Sequence, residues 1–201
     1  MPSRSQTAFA LSVLAIALAI AGAAFYLTSG RNGPMVSGTA LVGGPFSLVN
    51  QDGRRVTEKD FLGKYILVFF GFTYCPDVCP TELQVMSAAL DELGTAGNDI
   101  QPVFVSIDPE RDTPEVIKQY VGNFHPRVVG LTGSAEEIAT IARAYRVYYK
   151  KAASSGASED YEMDHSTTIY LMDRQGRFRK HFGYTTDAKG LAQDLREAMS
   201  N

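Results

Sequence analysis

Cys75 and Cys79 are the only two thiols in a chain of 201 residues, and they lie four positions apart in "LVFFGFTYCPDVCPTELQ" (67–84). Thiols this close can form a disulfide, act as a redox couple, or supply half of a metal site. On one helical turn, positions i and i+4 share a face, with about 5–6 Å between β-carbons. Pro76 suits the start of such a turn. Pro80 has no N–H and cannot sit deeper than a first turn. The spacing predicts one tight turn from Cys75 to Cys79 and a main helix beginning at Pro80. Both sulfurs then lie at a helix N-terminus, where the dipole favours the thiolate. Thiolate is the form that binds metal or attacks a disulfide.

Each use of the pair asks for something different. A static disulfide across so short a loop adds little stability, and inert buried cysteines need neither two prolines nor a helix start. A redox dithiol usually has two intervening residues; this pair has three. "VCPTE" (78–82) is similar to the peroxidatic segment of peroxiredoxins, which carry Thr three residues before the reactive cysteine. Here that position holds Pro76 or Phe72.

Metal binding needs a third ligand. His125 follows a predicted helix and precedes Pro126, so a C-cap role suits it. His181 lies in a predicted strand beside Arg179 and Lys180 and reads as an exposed strand residue. His165 stands where a small, polar stretch meets a predicted strand (166–173), next to Asp164. If that strand neighbours 65–72, it starts near the cysteine edge. Met163 reads as core. Asp77 and Asp164 are candidates to accept a hydrogen bond from His165. Two thiolates and an imidazole suit a soft or borderline ion: copper, with Cu(I) preferring thiolate, or zinc with a fourth ligand. Spacing alone does not separate the two metals.

The elements that must position these residues follow from pattern. "PFSLVNQDGRRVT" (45–57) predicts a hairpin turning at Asp52-Gly53. "YILVFFGF" (65–72) and "PVFVSID" (102–108) read as buried strands. Leu83, Met86, Ala89 and Leu90 recur at helical spacing on a helix to about Leu93. Thr113-Pro114 starts a helix to about Phe124, and Ser134 caps one to Tyr145. "VVGLT" (128–132) is a short strand. The stretch 151–162 reads as a mobile loop. A hairpin around Gln175-Gly176 joins 166–173 to 177–182, and a helix from about Asp187 closes the domain. The order is a βαβα half followed by a ββα half, hence a central mixed sheet with helices on both faces. Ligands favour the edge where parallel strands end and helices begin.

Composition sets outer bounds. The chain is 45% apolar with a formal net charge of −3. With a negative net charge the chain has no strongly basic face, so a nucleic acid is not an expected partner. Two cysteines are too few for a disulfide scaffold. From Ala8 to Leu27 ("AFALSVLAIALAIAGAAFYL") the chain is almost wholly apolar, and about 20 such residues match a hydrocarbon core of about 30 Å. The expectation is one membrane anchor over 1–29, or a signal peptide cleaved near Ala21-Gly22-Ala23, then a tether over 30–42 and a domain over 43–201. One Arg before the apolar run disfavours a transit peptide. The expected location is the bacterial inner membrane, single-pass, with the domain on the periplasmic side.

Three segments, "FFGFTYCPDVCPTEL" (69–83), "VFVSIDPERDTPE" (103–115) and "DHSTTIYLMD" (164–173), in that order behind one apolar segment, resemble the Sco/SenC proteins. The resemblance covers about residues 43–198. It implies an α/β, thioredoxin-like three-layer domain with a central mixed sheet, behind one N-terminal transmembrane helix. It implies copper, as Cu(I), Cu(II) or both, held by Cys75, Cys79 and His165. It also implies a copper donor and delivery to the Cu-A site of cytochrome c oxidase subunit II. Some members are instead thought to reduce that target's cysteines as thiol–disulfide oxidoreductases, or to act in redox signalling. Generic thioredoxins carry a cis-proline where His165-Ser166-Thr167 falls; this chain has none, which suits a metal ligand there. For "SIDPERDT" (106–113), turn and cap chemistry with Arg111 paired to a carboxylate is one reading, and a partner surface beside the metal is the other.

Overall fold

A turn of the chain at Asp52-Gly53 opens the domain. Gly53 takes φ +74, and Asn50 Oδ1 accepts the N–H groups of Asp52 and Arg54 at 3.1 and 2.9 Å. This folds β1 (Ser47–Asn50) against β2 (Arg55–Thr57) as the sequence predicts. The computed structural model describes residues 42–152, 161–184 and 186–200, all within one compact unit, Leu41–Asn201. The anchor expected at 1–29, and all but the last residue of the tether expected at 30–42, lie outside the described residues. Among the described residues no helix is long and apolar enough to cross a membrane.

Beyond the hairpin run β3 (Tyr65–Gly71), α1 (Val78–Leu93), β4 (Ile100–Ser106), α2 (Pro114–Val121), β5 (Val129–Thr132) and α3 (Ala135–Ala144). Then come β6 (Tyr149–Lys151), β7 (Met163–His165), β8 (Ile169–Met172), β9 (Phe178–Phe182) and α4 (Ala188–Ser200). Thr113 Oγ1 accepts from Val116 N–H, and Ser134 and Glu137 form a capping box, so α2 and α3 begin where their caps predict. The main sheet runs β2-β1-β5-β4-β3-β8-β9, parallel between β3, β4 and β5 and antiparallel elsewhere. It is the expected mixed sheet.

Burial holds it together. Phe69, Phe70 and Phe104 are fully buried from the two central strands, each worth about 1.5–3 kcal/mol of apolar transfer. Ile66, Val68, Val103 and Val105 face Ile141 of α3 with Phe46, Phe61 and Tyr145. Helices α1 and α4 pack on one another, and Tyr120 of α2 meets Phe104 with ring centroids 5.4 Å apart.

The register explains why one edge carries chemistry. β3 and β4 pair from Tyr65↔Ile100 to Gly71↔Ser106, so they end together. β8 pairs antiparallel with β3, with Phe69 opposite Ile169, so β8 begins where β3 ends. The chain after β3, the chain after β4 and the chain before β8 therefore meet at one place.

Several boundaries differ from expectation. Helix α1 begins at Val78, not Pro80. Pro80 is tolerated because its missing N–H belongs to the first turn, where donors have no intrahelical acceptor. β4 ends at Ser106 and α2 at Val121, where the chain turns. The stretch 151–162, expected to be loop from its first residue, starts as strand. Lys151 pairs with Met163 in a two-stranded ribbon, β6–β7, separate from the main sheet. Residues 153–160 of that expected loop lie outside the described residues.

Candidate metal centre

Cys75 follows a turn closed by its N–H on the Phe72 carbonyl, 3.3 Å away. Cys79 is the second residue of α1. Asp77 stands at the N-cap, but its side chain makes no cap hydrogen bond. The sulfur of Cys75 does that work: it accepts the Cys79 N–H at 3.4 Å. The helix start thus holds one sulfur against the other's backbone. Gly71 makes the room. A β-carbon there would lie 2.8 Å from Cys79 Sγ, so a side chain at the last residue of β3 and that sulfur position exclude each other.

His165 closes the group from β7. Its Nδ1 is 2.9 Å from the Ser166 carbonyl oxygen, which can only accept. Nδ1 therefore carries the proton, and Nε2 turns its lone pair to Cys79 Sγ at 3.5 Å. The ring stands edge-on to Phe72 and Phe69, with centroids 5.7 and 6.4 Å away. Both sulfurs and a ring nitrogen of His165 lie within 4.8 Å of one another. Metal bonds of about 2.0–2.3 Å set ligand atoms roughly 3.5–4 Å apart, so small side-chain movements suffice to enclose one ion.

The two sulfurs are unequal. Cys79 is fully buried, whereas Cys75 is half-buried on a cleft of about 290 Å³ shared with Asp77, Asp164 and His165. The Cys75 thiol is pulled down to about 4, first by the Cys79 thiol beside it and further by the N–H groups of Cys79 and Asp77. The Cys79 thiol is pushed far up, first by its contact with Cys75 and then by burial. In the metal-free site the thiolate is therefore favoured at Cys75, the more exposed sulfur, and the thiol at Cys79.

The other candidates separate cleanly. His125 lies four residues beyond the end of α2 and is not its C-cap; Gly122 is. Its Nδ1 accepts the Arg127 N–H at 3.2 Å. His181 is exposed on β9 and stacks on Phe178. Met163 is buried in the core, as expected. Neither Asp77 nor Asp164 takes the His165 proton; both are exposed, and the Ser166 carbonyl does so instead.

What sequence reasoning missed is the supporting layer. Asp112 is fully buried. Its carboxylate accepts Thr73 Oγ1 at 2.6 Å, Thr73 N–H at 3.1 Å and Ser106 Oγ at 2.5 Å. It fixes the chain two residues before Cys75. Arg111 does pair with a carboxylate, Asp108, at 2.5 Å, and also reaches the Tyr161 carbonyl. The "SIDPERDT" motif signalled importance, but nothing local to it says that its partners are Thr73 and Tyr161.

A sulfur pair at the start of the helix after a central strand, met by an imidazole arriving just before the antiparallel neighbour of that strand, defines a thioredoxin-like domain with a soft-metal or dithiol site. The family model SCO1/SenC matches residues 35–200. The chain belongs to that family. It is 51% identical over 164 residues to the mitochondrial SCO1 homologue of Homo sapiens, covering 81% of this chain and 54% of that protein. The chain spans about half the length of the curated relatives it matches. Two solved structures with copper bound are close in fold. ScoI of Arabidopsis thaliana has 47% identity and a TM-score of 0.75, covering 79% of this chain and 98% of that one. ScoI of Bradyrhizobium japonicum has 45% identity and a TM-score of 0.72, covering 78% and 99%.

Proposed function

We propose that this protein binds one copper ion through Cys75 Sγ, Cys79 Sγ and His165 Nε2 and delivers it to the Cu-A site of cytochrome c oxidase subunit II. The single observation carrying this reading is the mutual approach of the three ligand atoms to within 4.8 Å, with the imidazole proton already committed to Ser166. Two sulfurs and one imidazole make a soft, low-coordinate donor set that suits Cu(I). Copper in the solved relatives supports the choice of metal. Residues 1–29 are the membrane anchor and 30–42 the tether. They hold the domain on the periplasmic side of a bacterial inner membrane, beside its acceptor.

Exchange follows from the asymmetry of the site. The incoming ligand of the acceptor reaches the ion through the cleft at Cys75. Buried Cys79 is the last to let go. A two-electron oxidant that joins the sulfurs removes both thiolates from the ion, so copper loading and the disulfide exclude one another.

A second reading has its own observation. Cys75 is half-exposed and is the sulfur at which the thiolate is favoured, which suits attack on an acceptor's disulfide. His165→Ala separates the two. A chaperone loses tight binding of Cu(I), measured as metal per reduced full-length chain after chelator challenge, and keeps a reducible disulfide. A reductase keeps its thiol–disulfide activity with little change. Unchanged copper retention in His165→Ala rejects the ligand assignment.

A further inference from the structure

We propose that Arg111 is a positioning residue for the metal centre, tying the segment that carries Cys75 to the segment that carries His165 and so setting how readily the imidazole leaves the site. This rests on His165 being a copper ligand. The guanidinium carbon lies over the rings of Tyr161 at 3.7 Å and Tyr74 at 4.6 Å. Tyr74 is the residue before Cys75. Tyr161 lies two residues before β7, which ends in His165. Arg111 Nη1 also donates to the Tyr161 carbonyl at 2.9 Å, and Nε donates to Asp108 Oδ2 at 2.5 Å. Asp108 Oδ1 accepts the Tyr161 hydroxyl at 2.6 Å. One side chain therefore grips ring and backbone of the histidine segment while stacking on the cysteine segment.

The histidine segment needs such a grip. β7 pairs only with the three residues of β6, in a ribbon that is no part of the main sheet. Beyond that pairing, Ser166 exchanges hydrogen bonds with Tyr148, and an exposed Lys151–Glu110 ion pair adds little. The tie at Arg111 is different in kind: its side chain is 15% exposed and Asp108 only 1%. Nη2 is buried with no partner among the described residues. A desolvated cation with an unmet donor is a cost the fold carries, and the return is a planar fork that bridges two ligand segments. Lysine offers neither the fork nor the flat stacking face.

The test is a double-mutant cycle on Cu(I) release. Reduced full-length protein loaded with one Cu(I) is mixed with excess bathocuproine disulfonate, and the coloured complex is timed. Arg111→Met is expected to speed release about tenfold. In the His165→Ala background it is expected to add less than twofold, because the imbalance it creates acts through the imidazole. The His165 ring nitrogen signals of the metal-free protein are expected to broaden in Arg111→Met. Release at the wild-type rate overturns the proposal, as does an equal acceleration with and without His165, which marks a merely structural loss. If Arg111→Met does not fold, Arg111→Lys carries the same comparison, with a smaller acceleration expected. Wild-type release from His165→Ala alone would instead overturn the ligand reading beneath it.

Discussion

Gly71→Ala tests how tightly the fold shapes the site. The new β-carbon would lie 2.8 Å from Cys79 Sγ, 3.0 Å from Phe104 Cε2 and 3.1 Å from Phe69 Cε1. Ordinary contact begins near 3.4 Å, so the sulfur must retreat by about 0.6 Å, or β3 must shift. Overpacking of this kind costs about 1–3 kcal/mol. A less flexible unfolded chain offsets about 0.4–1 kcal/mol. The net loss is about 1–2 kcal/mol, or roughly 2–8 °C in Tm for a domain of this size. The effect on copper is larger than the effect on folding. Metal–ligand distances tolerate about 0.2 Å, so affinity is expected to fall by more than tenfold, about 1.4 kcal/mol or more. Chemical denaturation of the metal-free protein measures the first quantity, and competition with a Cu(I) chelator measures the second. A Gly71→Ala protein with wild-type copper affinity would refute the claim that this glycine makes room for the sulfur.

Three further outcomes are expected. In the metal-free reduced protein, iodoacetamide should modify Cys75 first, at a rate nearly flat between pH 6 and 8, because its thiol is pulled down to about 4. Peptide mapping showing equal labelling of Cys79 would contradict that. Glu82 is 1% exposed, one of its oxygens has no partner among the described residues, and burial raises it to about 7 from the usual 4.5. Below pH 4.5 it is protonated folded or unfolded and costs nothing. Between pH 4.5 and about 7 the unfolded chain ionises it while the folded chain keeps it neutral, so on the order of 3 kcal/mol of stability is lost across that window and no more above it. Glu82→Gln should therefore raise the urea midpoint at pH 8 and flatten its decline between pH 5 and 8. Asp112→Asn exchanges an acceptor of three hydrogen bonds for an amide that cannot accept them all. It should cost about 1–3 kcal/mol in urea denaturation, and an unchanged midpoint would remove Asp112 as the anchor of Thr73.

Much of this protein is written locally. The run of Tyr65–Gly71 is apolar at every position but the last because both faces of β3 are covered, and that pattern reads as a strand without any knowledge of its neighbours. Thr113, Ser134 and Gly53 act within a few residues of themselves, through cap and turn hydrogen bonds, so their elements were legible. So was the pairing of Cys75 with Cys79, because one turn of chain brings them together. The ribbon β6–β7 was not. Three-residue strands carry too little periodicity to stand out beside a small, polar stretch, and their hydrogen bonds are made across 12 or more residues. The proton acceptor of His165 was not legible either, since a backbone carbonyl leaves no mark in composition. The residues themselves determined that two thiols and an imidazole were available. Tertiary structure alone decided that they meet, because strand order and register, which depend on contacts far apart in the chain, end β3 and begin β8 at the same edge.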